Sequence, residues 1–215
     1  MGTRRFACAL VVVRMYIRRG QNWSICIDSD PYAVMALFLR DLAGLTHTEV
    51  GPNSTLAHTV KIRGARWPTH GQIKQEWDSW WQSIMHGPTH NQLESTHDLP
   101  LQLERRGYPQ LARVASAHYG QAIVFADEHH REFSRAAVEY VPQRIQELEK
   151  ILLDQGVEHA GQSNTETNIR VLQVPLSEPR AWLGGGGTIV ASHNLLRDGA
   201  AFHSYMEPIA SVMFP

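Results

Sequence analysis

The chain of 215 residues is 43% hydrophobic and 19% charged with a formal net charge of −1, the composition of an ordinary soluble globular protein with apolar mass for one sizeable core. Its Lys and Arg residues are spread along the chain, so no basic footprint for nucleic acid or an anionic membrane surface is present, and no apolar run approaches the roughly 20 residues that span a bilayer. The expectation is one globular domain over 1–215, cytoplasmic, with a small-molecule substrate, no nucleic-acid or membrane partner, and a homodimer as the open question of assembly.

Residues 5–17 (RFACALVVVRMYI) are rich in β-branched side chains and are read as a strand. The arginines around Phe6 to Val13 imitate a secretory signal, but the run is short and no small-residue cleavage site follows. Arg19-Gly20-Gln21-Asn22 supplies turn chemistry, and Trp23 to Asp28 resumes an apolar alternation, which predicts a hairpin. Cys8 and Cys26 both sit in apolar runs without metal-ligand or CxxC spacing, so reduced, buried thiols are expected.

Asp30 before Pro31 has the form of an N-cap with proline at the first helical position, and Tyr32 to Leu42 continues as a helix that Gly44 stops. Thr55 to Arg63 alternates as a third strand. Gly71 to Met85 places Ile73, Trp77, Trp80, Trp81 and Ile84 at spacings of three and four, a helix with an aromatic stripe. A helix from about Gln92 to Arg105 has Pro100 to interrupt or start it. Tyr108 to Tyr119 is predicted as a short helix capped by Gly120, Gln121 to Ala126 as a short buried strand, and Asp127 to Gln155 as the longest helix, with Pro142 kinking or dividing it and Gly156 stopping it. After the polar loop Gly161 to Asn168, Ile169 to Val174 returns to strand, Gly184 to Gly187 leads into a strand at Thr188 to Ala191, and a terminal helix starts near Ser192. The pattern predicts an α+β domain with a largely antiparallel sheet from N- and C-terminal strands around a helical middle.

Chemistry concentrates between Arg63 and His97, where four of the six tryptophans stand among Arg66, Glu76, His86, His90, Glu94 and His97. Apolar walls with a few placed polar groups are what a ligand pocket needs. His86 and His90 are four apart, the spacing of two metal ligands on one helix face, but Gly87-Pro88 between them breaks the helix this requires. A loop carrying acid/base groups is the better reading, with no metal and no cofactor. Glu94 acts as general acid or base if the tryptophans exclude water, since burial raises a carboxylate's pKa, and His86 or His90 is its proton partner. Taken singly, each is an ordinary solvated residue; the clustering carries the argument. Arg66 precedes Trp67-Pro68, where the residue before proline is held extended, and its guanidinium is a candidate carboxylate anchor or an ordinary surface ion pair. Trp67, Trp77 and Trp81 are candidate walls for an aromatic substrate, although a helical stripe of this spacing ordinarily faces a sheet.

Asp127 to Glu132 (DEHHRE) is the second cluster, placed where a strand enters a helix; its adjacent histidines point about 100° apart and do not chelate together. Gly184 to Gly187 lacks the Lys-Ser/Thr of a phosphate loop and is read as a hairpin turn, although it would also let another backbone or an anion approach. Ser192 lacks the glycines of a nucleophile elbow and is read as a helix N-cap.

The order Arg66, His86, Glu94 among tryptophans, in a chain of this size, resembles the bacterial Pictet–Spengler enzymes that condense tryptophan with an aldehyde to build β-carbolines. The resemblance covers only this segment and rests on residue order. It implies Glu94 as acid/base at the amine and ring carbon, Arg66 as carboxylate or aldehyde-acid anchor, and His86 at the pocket mouth. The expectation is therefore a metal-free acid/base enzyme acting on an aromatic, carboxylate-bearing small molecule. Two other classes stand beside it: a metal-dependent hydrolase or oxygenase using His86, His90, His97 or the Glu128 to His130 cluster, and a non-catalytic immunity or regulatory protein.

Overall fold

The computed structural model describes residues 23–45, 55–56, 70–86, 98–155 and 167–214. The predicted strand 5–17, its turn, most of Thr55 to Arg63 and Gly156 lie outside these residues. The elements in chain order are β1 (Trp23–Asp28), α1 (Pro31–Leu42), α2 (His70–His86), α3 (Leu99–Arg105), α4 (Pro109–Asp154), β2 (Thr167–Val174), β3 (Ala181–Gly185), β4 (Thr188–Ser192), α5 (His193–Arg197) and α6 (Gly199–Met213).

Local chemistry explains several boundaries. The Asp30 carboxylate accepts from the Tyr32 amide and Pro31 opens α1, satisfying an amide that the first turn leaves orphaned. Gly44, at φ +71°, ends it: the Gly44 amide donates to Asp41 O and the Leu45 amide to Arg40 O, the paired bonds of a Schellman motif. Gly107, at φ +84°, repeats the device after α3, with Gly107 donating to Glu104 O and Tyr108 to Leu103 O. Pro109 then opens α4.

The sheet order is β1-β2-β4-β3. β1 pairs parallel with β2, β2 pairs parallel with β4, and β3 alone runs antiparallel, in a hairpin with β4. The expected largely antiparallel sheet is thus corrected to a mostly parallel one. Adjacent parallel strands must be joined by a long crossover, and here α1 to α4 all lie between β1 and β2. Both faces are then covered by helices, so β2 is buried over Ile169–Val174, its polar Arg170 and Gln173 included. One face presents Leu172, Val174 and Val190 to the cluster formed by α1, α2, α3 and the first half of α4. The other presents Ile25, Ile27, Ile169, Val171, Ile189 and Ala191 to the second half of α4, α5 and α6.

A second correction concerns α4. The predicted helix 108–119, strand 121–126 and helix 127–155 are one helix of 46 residues, about 69 Å long at 1.5 Å per residue. The buried positions Ala122, Ala126, His129, Phe133, Ala137, Tyr140 and Arg144 recur every three or four residues, a helical stripe. Val124, in the middle of the β-branched run that suggested a strand, is 55% exposed. Gly120 does not take the left-handed conformation that a glycine cap requires. Pro142 is tolerated because it lies on the solvent side, where the Val138 carbonyl it deprives of an amide partner can be hydrated; Val138 is 77% exposed. Among the described residues, no helix is long and apolar enough to cross a membrane.

Candidate functional site

Of the residues singled out from sequence, Arg66, Trp67, His90, Glu94 and His97 lie outside the described residues. Trp77 and Trp81 are 0% and 1% exposed and stack on one another, ring centroids 5.3 Å apart and 13° from parallel. Trp77 Nε1 donates to Ala36 O at 2.6 Å, pinning α2 to α1. Neither ring offers accessible surface, so their assignment to substrate binding is corrected: the stripe is core. Glu76 is also interior, its Oε2 accepting from the Leu111 amide at 2.8 Å, which places a carboxylate on the first turn of α4.

His86 is the last residue of α2 and is exposed, with Nδ1 2.9 Å from Gln82 O. Its ring lies over the β3–β4 turn, where a Cβ at Gly185 would fall 2.5 Å from His86 Nε2. The glycine run is therefore a hairpin turn that also admits the end of α2, and Thr188 Oγ1 donates to Met85 O at 3.2 Å to hold it there.

The second cluster from sequence leads to a different site. The strand–helix junction expected at Asp127 is absent; His129 instead occupies the buried stripe of α4, in the interval between the apolar residues that serve the two cores. It is 5% exposed, and its Nε2 is buried without a hydrogen-bond partner. Burial first, then the neighbouring His193 and His130, push its pKa down to about 3, so the ring is neutral at neutral pH and a weak base.

His193 begins α5 directly after β4, at the carboxyl end of a parallel strand, the usual edge for ligands in such sheets. Its Nδ1 is 3.1 Å from Gln173 Nε2, and Gln173 Oε1 accepts from Tyr140 Oη at 2.6 Å. The Arg197 guanidinium, one helical turn on, lies 3.3 Å from His193 Nε2. Burial raises the Tyr140 pKa to about 12 against the opposing influence of Arg197 and Gln173, so the phenol keeps its proton. A neutral imidazole accepts at only one nitrogen, and both the Arg197 guanidinium and the Gln173 amide nitrogen are donors, so the ring accepts a hydrogen bond from one of them and not from both. The chain Tyr140–Gln173–His193–Arg197 thus runs from a buried hydroxyl to an exposed guanidinium, with His193 half-buried between them. Its members come from α4, β2 and α5, and no sequence motif links them. The one signal was His129, which falls in register with Ala122, Ala126 and Phe133 once that segment is read as helix.

The opposite face of the sheet carries a buried ion group. Arg170 Nε reaches both carboxylate oxygens of Asp28 at 3.2 and 3.1 Å, and its Nη2 reaches Asp30 at 2.9 Å. Burial would lower the Arg170 pKa, but the two carboxylates outweigh it and raise it. The group ties β2 to β1 and to the cap of α1. Cys26, half-buried beside it, has its thiol pushed up to about 11 by burial and by Asp28, which makes it a poor nucleophile. Among the described residues, no group of three or more His, Cys, Asp or Glu is disposed to hold a metal ion. No protein family, curated protein or solved structure matches the chain.

Proposed function

We propose that the protein is an acid/base enzyme acting on a small carboxylate-bearing aromatic molecule, with its working groups at the carboxyl edge of the parallel strands. The observation that carries this reading is a buried, neutral imidazole, His129, whose Nε2 has no hydrogen-bond partner, near a second imidazole, His193, tied through Gln173 to Tyr140. His193, half-buried, is the acid/base group that meets the substrate, since imidazole is the side chain suited to giving and taking a proton in general acid/base catalysis. Gln173 and Tyr140 orient its ring. Arg197, exposed beside it, is the anchor for a carboxylate. The particular reaction suggested by Arg66, His86 and Glu94 is condensation of tryptophan with an aldehyde: the amine and carbonyl lose water to form an iminium, the indole carbon closes on it, and a base removes the ring proton. That reaction rests on residue order alone and is the narrower form of the proposal.

The test is a calorimetric titration of the full chain with L-tryptophan and with indole-3-propionate, which shares the ring and carboxylate. Saturable binding of both, lost in Arg197→Ala and retained in Tyr140→Phe with an altered pH profile, is the expected result. Binding untouched by Arg197→Ala and His193→Ala refutes this site, and binding lost instead in Arg66→Ala moves it to the 63–97 segment.

A further inference from the structure

Gly120 lies within α4, where glycine weakens a helix relative to alanine. Neither backbone nor packing asks for it. Its φ is not in the left-handed region, and a Cβ built on it meets no heavy atom within 4 Å. What a side chain there would fill is an open groove of about 320 Å³ between α4 and α1, lined by Phe38, Gly120, Gln121, Val124, Phe125 and Glu128.

The walls are apolar and aromatic. Phe38 and Phe125 meet with ring centroids 5.2 Å apart and planes tilted by 33°. Phe125 is half-buried, and Val124, one turn from Gly120, is 55% exposed. Among the described residues, the only charged group lining the groove is Glu128, which makes no ion pair with any of them, whereas its neighbour Asp127 is already paired with Arg131 at 2.5 Å. A carboxylate at the end of an aromatic trough, with no cation among the described lining residues, complements a positive ligand and repels a negative one.

We propose that this groove binds a small apolar amine: a ring system lies over Gly120 between Phe125 and Val124, and its ammonium group sits on Glu128. The volume is at the low end for small-molecule sites and suits a one- or two-ring body. The site shares no residue with the His193 network and stands whether or not that network is catalytic.

The probe is 1-naphthylmethylamine, with 1-naphthylacetate as its anionic counterpart, each titrated calorimetrically into the full chain. Expected are one saturable site for the amine and affinity at least about tenfold weaker for the acetate, the scale of one charge-assisted contact. Glu128→Gln should bring the two affinities together, and Gly120→Leu, which fills the trough, should abolish binding while leaving the thermal midpoint no lower than that of the parent chain. Val124→Lys, whose ammonium can reach Glu128 one turn away, should block the amine by a different route. Equal affinity for both probes, amine binding unchanged in Gly120→Leu and Val124→Lys, or absence of saturable amine binding overturns the proposal. Amine binding that survives Arg197→Ala separates this site from the carboxylate site above.

Discussion

His129 makes acid stability a direct readout of the interior of α4. Its proton affinity is depressed from the ordinary 6.5 to about 3, so the unfolded chain binds a proton there that the folded chain refuses. The contribution of this group to stability is complete above pH 6.5 and is lost as pH falls from there towards 3, at about 1.4 kcal/mol per pH unit. Between pH 7 and pH 4.5 the loss from this one site is therefore about 2.5 kcal/mol. His129→Leu removes the titration and also the unpartnered Nε2, so the variant should be at least as stable as the parent at pH 7 and should lose about 2.5 kcal/mol less on acidification. The assay is urea unfolding at the two pH values, followed by tryptophan fluorescence, with the parent-minus-variant difference taken so that titrations common to both chains cancel. His130 and His193 also face this ring. Equal losses of stability in both chains would refute the reasoning, as would an imidazole resonance of His129 titrating near 6.5.

Glu76→Ala leaves the buried Leu111 amide without its acceptor and should cost about 1–3 kcal/mol in chemical unfolding. Arg170→Met strands the Asp28 and Asp30 carboxylates in the interior; a loss of about 3–5 kcal/mol at neutral pH is expected, shrinking on acidification as the carboxylates take up protons. Gly185→Ala imposes both a φ of +105° and a Cβ 2.5 Å from the His86 ring, so it should destabilise by more than about 1 kcal/mol. Adding His86→Ala should restore only the part due to the clash, which a double-mutant cycle on the unfolding free energies resolves.

Groups that act within a few residues of one another were legible in the chain itself. Asp30 and Pro31, Gly44, the Trp77–Trp81 stripe and Ser192 announce caps and a helix face, because a cap or an amphipathic face is a matter of spacing along one segment. Strand direction was not legible. The alternation in Trp23–Asp28 and Ile169–Val174 is the same whether the strands run parallel or antiparallel, and the partner is chosen by which long-range crossover buries both sheet faces. The segment 121–126 misled because Ile, Val and Phe carry strand preference, whereas the continuous buried stripe on either side outweighs it by packing against two cores. The candidate sites divide in the same way. Histidines and arginines could be counted from the sequence, but only tertiary structure buried His129 and joined Tyr140, Gln173, His193 and Arg197. Proton affinity and hydrogen bonding depend on what surrounds a group in space, and those neighbours come from separate elements of the chain.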